Sequence, residues 1–347
     1  MAIKIKKSTD LSNIRILSPQ DGAKIYTQLR FQVTKAGILD RDYFYYIFQS
    51  TIDISGFVFF LTEFFLQKNP VLLIFICIGI SFFSVRLGGL IHDAGHRAIF
   101  KSTLLNDIYG YICSFVIAFP FIVWKYKHNA HHAHTNEEGV DPDLDVPLSF
   151  TEDMVNRRGF LVGIMRKYQV WLYYPFGSLV SFTMRLKAYK YYFQNLSKKA
   201  ILLMICQGLG MFLWYILPFF IFPFWKAFLF FILTNEVAGF YMLNIFAPNH
   251  KGMPQMEKEV KISFLEHQIM TARNIYGHWL TDYLYLGLNY QIEHHLFPNC
   301  PRNKLNNITP YVRAICRKYK LSYAQMGIIE SNRFILSELK KTSQLTK

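Results

Sequence analysis

The sequence predicts an all-α integral membrane protein, with four transmembrane helices in two hairpins and a helical cap on the cytosolic side. Three observations carry this. The chain of 347 residues is 52% hydrophobic and only 18% charged, whereas a soluble domain carries about a quarter charged residues. Four apolar stretches each match the ~20 residues a helix needs to cross the hydrocarbon. Of the 38 Lys and Arg residues, 35 fall in three polar sections that four crossings would put on one face, and basic residues favour the cytoplasmic face.

Residues 1–43 read as a cytosolic N-terminal segment with eight Lys and Arg residues. Its start, MAIKIKKSTDLSNIRILSP, has neither a continuous apolar core nor a small-residue cleavage site, so no signal peptide is expected. Residues 44–96 form the first hairpin. Its first crossing, 44–67, is interrupted by Asp53 and Glu63; its second, 71–90, contains Arg86. The connection 68–70 is too short for anything but a tight turn. Residues 201–248 form the second hairpin, with crossings at 201–223 and 227–248 joined by 224–226.

Between the hairpins, residues 97–200 are mixed. Residues 104–124 (LLNDIYGYICSFVIAFPFIVW) are long enough to cross, yet open with Asn106 and Asp107 and contain Pro120. Residues 157–199 interleave basic and aromatic residues with apolar ones, which suits helices in the membrane interface; a solvated helical pair is the alternative. Residues 249–347 are polar and basic, expected as helical cytosolic cap and tail.

The net charge of +15 follows from positive-inside topology and attraction to anionic headgroups. An acidic partner or a phosphate-bearing substrate could use the same field. No nucleic-acid-binding module accompanies it. Cys77, Cys113, Cys206, Cys300 and Cys316 are scattered, with no zinc or redox pairing among them.

The chemistry concentrates in the histidines. His92-Asp93-Ala94-Gly95-His96 directly follows the second crossing, and on a continuing helix His92 and His96 share a face. His128-Asn129-Ala130-His131-His132 repeats the device with spacings of three and four. Gln291-Ile292-Glu293-His294-His295 is the third cluster, and His250 stands just past the fourth crossing. A lone histidine is usually a satisfied polar side chain. Seven in three clusters at the cytosolic ends of apolar segments point instead to metal binding, since imidazole is the commonest metal ligand. Eight candidates exceed what one metal needs, so the cap is expected to hold a dimetal centre. For the first two clusters to meet, 104–124 must not cross; it is expected to dip in and return, or to lie in the interface. The zinc-protease pattern His-Glu-x-x-His is absent, as are the Glu-x-x-His pairs of soluble di-iron bundles. Spacing alone does not choose iron over zinc.

These residues resemble the membrane-bound, histidine-box fatty acyl desaturases. The matching motifs are HDAGH (92–96), HNAHH (128–132) and QIEHH (291–295), with the wider strings HNAHHAHTNEEGVDPDLD, FAPNHKGMP, TARN and GLNYQIEHHLFP. The layout matches over roughly residues 25–310. The wider strings look like a bacterial acyl-CoA/acyl-lipid branch, which shares its glutamine-type third box with the front-end desaturases. The resemblance implies two iron ions, four spans and a cytosolic catalytic cap. It assigns ligand roles to His92, His96, His128, His131, His132, His250, His294 and His295. Many relatives have His where this chain has Gln291, which could ligate weakly, bind through water or only shape the site. An Asn that holds a metal-bound water in relatives falls at Phe246 here; Asn244, Asn249 and Asn274 are the candidate substitutes. His134, His267 and His278 lie outside the motifs and are expected to be structural or to support the ligands. Asp93, Asp141, Asp143, Asp145 and Glu293 lie near the boxes. Asp93 and Asp141 are the candidates for orienting a ligand ring, with chain capping as the alternative for the DPDLD run.

The activity implied is O2-dependent introduction of a cis double bond into a fatty acyl-CoA or acyl-lipid, using two external electrons. His-Pro-Gly-Gly, the mark of a fused cytochrome domain in some relatives, is absent, so a separate donor (ferredoxin, or cytochrome b5 with a reductase) is expected. The implied place is a multi-pass protein of the lipid bilayer with its active site on the cytoplasmic face. Two rivals stay open. One is a di-iron hydroxylase of alkyl, fatty acyl or carotenoid substrates. The other is a metal transporter, for which Asp53, Glu63 and Glu236 are the only span acids.

Overall fold

The computed structural model describes residues 17–146, 148, 160–256 and 262–345. Residues 1–16, on which most of the signal-peptide expectation rests, and 157–159 of the interfacial stretch lie outside them. The chain divides into two compact units, each described by itself.

One unit comprises Arg41–Tyr126 and Tyr174–Asn244. Helix α2 (Tyr43–Leu66) starts where the Asp42 side chain accepts from the Tyr45 amide. It follows α1 (Pro19–Lys35), which belongs to the other unit. Helix α3 (Pro70–Gly95) starts at Asn69, whose side chain accepts from the Val71 and Leu72 amides, with Pro70 in the first position. A cap followed by proline is the local reason the chain reverses at 67–69. Gly56 and Gly79 let α2 and α3 approach closely: an added Cβ would lie 2.3 Å from the Phe83 ring or 2.5 Å from the Phe60 ring. Small residues serve this purpose where lipid offers no hydrophobic drive. Asp53 and Arg86, which interrupt their apolar stretches in the sequence, are partners. Arg86 Nε lies 2.5 Å from Asp53 Oδ1, and Gln49 donates to the same oxygen at 2.9 Å.

Helices α4 (Thr103–Val116) and α5 (Phe121–Ala133) cover the ambiguous stretch. They are bent by 117° at a break of no more than four residues. Asn106 secures the approach to α4, its amide donating to Phe100 O at 2.8 Å and Ser102 O at 2.7 Å. Asp107 on α4 pairs with Lys125 on α5 at 2.6 Å. A Cβ on Gly110 would strike the Phe121 ring at 2.5 Å, so glycine there admits α5.

Helices α6 (Phe160–Ser178) and α7 (Val180–Gln194) are nearly continuous. The crossing expected at 201–223 falls on Lys198–Ile221, built of α8 (Lys198–Met211), a wide π-type turn (Phe212–Ile216) and a short α9 (Pro218–Ile221). Pro218 is the physical reason for the wide turn: it has no amide hydrogen, and its ring crowds the preceding turn. The Leu217 amide accordingly reaches back five residues to Phe212 O. Helix α10 (Phe224–His250) follows. Among the described residues, four helical stretches are long and apolar enough to cross a membrane: Tyr43–Leu66, Pro70–Gly95, Lys198–Ile221 and Phe224–His250. The bent α4–α5 pair is a fifth only if taken as one span.

The other unit comprises Met1–Asp40, Lys127–Tyr173 and Ile245–Lys347. Its core gathers α1, α11 (Phe264–Thr271), α13 (Gln291–Leu296) and α14 (Leu305–Tyr319) through Leu29, Val33, Leu265, Ile292, Ile308 and Val312. The apolar positions of α1 recur at helical spacing (Ile25, Leu29, Val33), which is why that face is buried. Glu266 anchors the start of the described chain, both carboxylate oxygens accepting from the Leu17 amide at 3.1 Å. Strand β1 (Asn274–Ile275) pairs in parallel with β2 (Gln325–Met326). Helix α12 (Trp279–Leu284) lies between β1 and α13, and α15 (Ile328–Ser343) ends the described chain.

Candidate metal centre

Within the second of these units, six histidines form two groups. One ring nitrogen from each of His128, His132 and His294 lies within 4.8 Å of the others, and the same holds for His131, His250 and His295. The alternation follows from the helices. His128 and His132 are one turn apart on α5, while His131 sits on the neighbouring row; His294 and His295 are consecutive on α13 and point apart, their rings at 88°. The groups adjoin, with the rings of His132 and His295 stacked 4.1 Å apart.

In the second group every imidazole is held from behind. His131 Nδ1 lies 3.0 Å from both oxygens of Asp141. His250 Nδ1 donates to Thr271 O at 3.1 Å. His295 Nδ1 donates to Gln268 Oε1 at 2.8 Å and lies 3.1 Å from Thr135 Oγ1. Gln268 cannot present its nitrogen there, because its amide donates to His132 O at 3.1 Å. Each outward bond fixes a tautomer and leaves Nε2 for a metal. Asp141 is itself fixed by the Asn136 amide at 2.7 Å and the Asp143 amide at 2.8 Å. Burial alone would raise its carboxyl, but the bond and charge of His131 outweigh this and hold it below the usual carboxylate range. Asp141 therefore both caps the turn at Pro142–Leu144 and grips His131.

Gln291 is 3% exposed. Its Nε2 lies 2.9 Å from His250 Nε2, and its Oε1 accepts from Asn249 at 3.1 Å. Since Nδ1 of His250 carries that ring's proton, the Gln291 amide donates into the lone pair a metal would use. Asn274 is committed elsewhere: its amide donates to Glu293 and to Tyr323, both at 2.7 Å, and its oxygen accepts from the Ile292 amide. Burial pushes the Glu293 carboxyl above its usual range, and the bonds from Asn274 and Tyr323 offset this only in part. Asn244 donates to Phe240 O of its own helix. His267 donates to Thr135 O at 2.7 Å, His134 lies 2.7 Å from Glu137, and His278 caps α12.

In the membrane-type unit, His92 and His96 are one turn apart at the end of α3, with rings 4.7 Å apart. His92 Nδ1 lies 3.1 Å from Asp93 Oδ1, whose second oxygen accepts from Tyr46 OH at 2.7 Å. Sequence reasoning missed Thr135, Gln268, Thr271, Tyr46 and Tyr323. The one available signal was polarity inside apolar helices, as for Gln268 in FLEHQIMT.

The donor set fits a metal. Each group offers three imidazoles, and those of His131, His250 and His295 are oriented by a carboxylate, a backbone carbonyl and an amide oxygen. A family model described as fatty acid desaturase matches residues 24–327. The Delta(5) fatty acid desaturase of Caenorhabditis elegans is 31% identical over 322 residues, covering 86% of this chain and 69% of that protein. The acyl-lipid (9-3)-desaturase of Physcomitrium patens is 30% identical over 274 residues, covering 74% of this chain and 51% of that protein. The Delta(8)-fatty-acid desaturase of Euglena gracilis is 26% identical over 343 residues, covering 92% and 80%. With the histidine groups, a match over most of its length and these relatives, the chain belongs to the fatty acid desaturase family of oxidoreductases.

Proposed function

We propose that this protein introduces a cis double bond into a fatty acyl chain, using O2 and two electrons from a separate donor at a pair of iron ions. The observation that carries the reading is the paired histidine groups, each assembled from α5 and α13. All eight box histidines are the proposed ligands: His92, His96, His128, His131, His132, His250, His294 and His295. The iron pair, when bound, would supply the oxidising power needed to remove hydrogen from an unactivated methylene pair.

The chain's own residues do the positioning. Asp141, Thr271 and Gln268 orient three rings so that Nε2 faces inward. Glu293, held by Asn274 and Tyr323, ties α13 to β1 and the segment before β2, and so sets the direction of His294 and His295. Gln291 must turn its amide for His250 Nε2 to bind metal; Asn249 holds its other end.

The spans are read as two hairpins with the dimetal cap on the cytoplasmic face, as the Lys and Arg distribution supports. The segment 97–200 is read as a re-entrant pair, α4–α5, followed by interfacial helices and part of the cap. The names Delta(5) and Delta(8) count from the carboxyl carbon and support a double bond near the head-group end. The donor is read as ferredoxin, or cytochrome b5 with a reductase. The test is reconstitution of the iron-loaded chain with each donor and with either acyl-CoA or phospholipid. Product two mass units lighter from one substrate class supports the reading and names the acyl carrier. Product from neither, with iron bound and a donor that reduces it, would overturn the reading.

A further inference from the structure

The break between α4 and α5 leaves carbonyls without partners in the helix ladder. Those of residues 114–118 all find donors. Ser114 O and Phe115 O accept from the amides of Phe119 and Ala118. Val116 O accepts from Trp214 Nε1 at 2.6 Å. Ile117 O and Ala118 O accept from one side chain, Arg185, through Nη2 at 3.0 Å and Nε at 3.1 Å.

Arg185 is 7% exposed. Its third nitrogen donates to Ser181 Oγ at 2.9 Å and to Ser181 O, one turn back on α7. The Tyr215 ring lies 5.4 Å from the guanidinium, and Gln207 of α8 donates to Arg185 O at 3.1 Å. Ala118 itself has φ +51°, a left-handed conformation that a residue with a Cβ avoids unless its surroundings impose it. Gly210 makes the room: a Cβ there would lie 3.3 Å from Ala118. The wide turn at Phe212–Ile216 carries both Trp214 and Tyr215 to this point.

We propose that Arg185, assisted by Trp214, is the positioning residue for the second histidine cluster. By clasping the carbonyl end of α4, it fixes the turn from which α5 departs. Helix α5 then runs without interruption from Phe121 to Ala133. His131 lies ten residues from its start, a lever of about 15 Å. A tilt of about 5° at Phe121 would move that ring by about 1 Å, enough to matter to a metal site. Arginine suits the task because its planar fork spans two adjacent carbonyls, which the single ammonium of lysine cannot do.

This inference rests on the proposed metal centre, and the experiment separates the two. The full chain in detergent, stripped of metal, is titrated with cobalt(II). Its visible absorption spectrum, thermal midpoint and backbone hydrogen exchange over residues 114–121 are recorded for wild type, Arg185→Lys, Arg185→Met and Trp214→Phe. Expected are an altered cobalt spectrum and at least tenfold faster exchange at the turn in Arg185→Met. Arg185→Lys and Trp214→Phe, which keep part of the clasp, should fall between it and wild type. If Arg185→Met does not fold, those two carry the test. A lower midpoint with a wild-type cobalt spectrum would overturn the inference, because the clasp would then be merely structural. Wild-type exchange and spectrum in the variants would also overturn it. Wild-type protein that takes up no metal would overturn the reading of the site and this inference with it.

Discussion

Gln268 Oε1 lies 2.8 Å from His295 Nδ1, and the amide of the same side chain donates to the carbonyl of His132. One glutamine thus fixes a ring of the third histidine cluster and the backbone of the second. Losing such a partner typically costs 10–100-fold in metal affinity. Gln268→Leu is expected to lose about that much in a metal titration of the stripped protein. Gln268→Glu keeps the acceptor for His295 and should retain most of it. Equal affinity in wild type and Gln268→Leu would remove Gln268 from the account.

Asp141 tests the same idea with a charge. Asp141→Asn should weaken metal binding by about 10–100-fold. It should also flatten the acid dependence of the metal-free fold. The folded-state carboxyl is held below its ordinary 3.8, so its contribution is fully present above that value and is lost as pH falls through the lowered one. Thermal midpoints of the metal-free protein should therefore fall more steeply below pH 3.8 for wild type than for Asp141→Asn. Parallel curves would contradict this.

The buried pair Asp53–Arg86 predicts an asymmetry. Removing one partner leaves the other charge inside α2–α3, so Asp53→Ala should cost about 3–5 kcal/mol. Replacing both, as in Asp53→Leu with Arg86→Met, should recover most of the loss, because apolar residues of similar volume replace such pairs well. Thermal unfolding in detergent reads both. A double variant no better than the single would show that the pair has a further role.

Tyr323 OH donates to Glu293 Oε1 at 2.8 Å. Tyr323→Phe should destabilise by about 1–3 kcal/mol, the cost of leaving a buried acceptor short of a donor. Adding Glu293→Gln should restore part of it by removing the charge. A single variant as stable as wild type would mean that the carboxyl finds another donor.

The four helical stretches long and apolar enough to cross were legible in the sequence because apolar length is a one-dimensional property. The histidine groups were legible because spacings of three and four mark a helix face. Asp53 and Arg86 looked like interruptions of two separate stretches; only the packing of α2 on α3 makes them partners. Pro120 flagged that 104–124 would not be one regular helix, and Pro218 could have flagged the wide turn at Phe212–Ile216. The supports of the site were out of reach. Thr135 and His295 are 160 positions apart and Gln268 and His132 are 136 apart, and no spacing rule links residues joined only by the fold. Asn249 and Asn274 stood open as candidates near the boxes; their bonds to Gln291 and Glu293 follow from tertiary placement alone.

The proposed role of the histidine groups is to hold the metals that desaturate an acyl chain. The most direct measurement is mass spectrometry of total fatty acids from a host expressing the chain with an electron donor, beside one expressing His294→Ala. Expected are a new species two mass units lighter in the first and none in the second, with less iron bound by the variant. A species sixteen units heavier would contradict desaturation in favour of hydroxylation. An unchanged profile from folded, iron-loaded protein would contradict both.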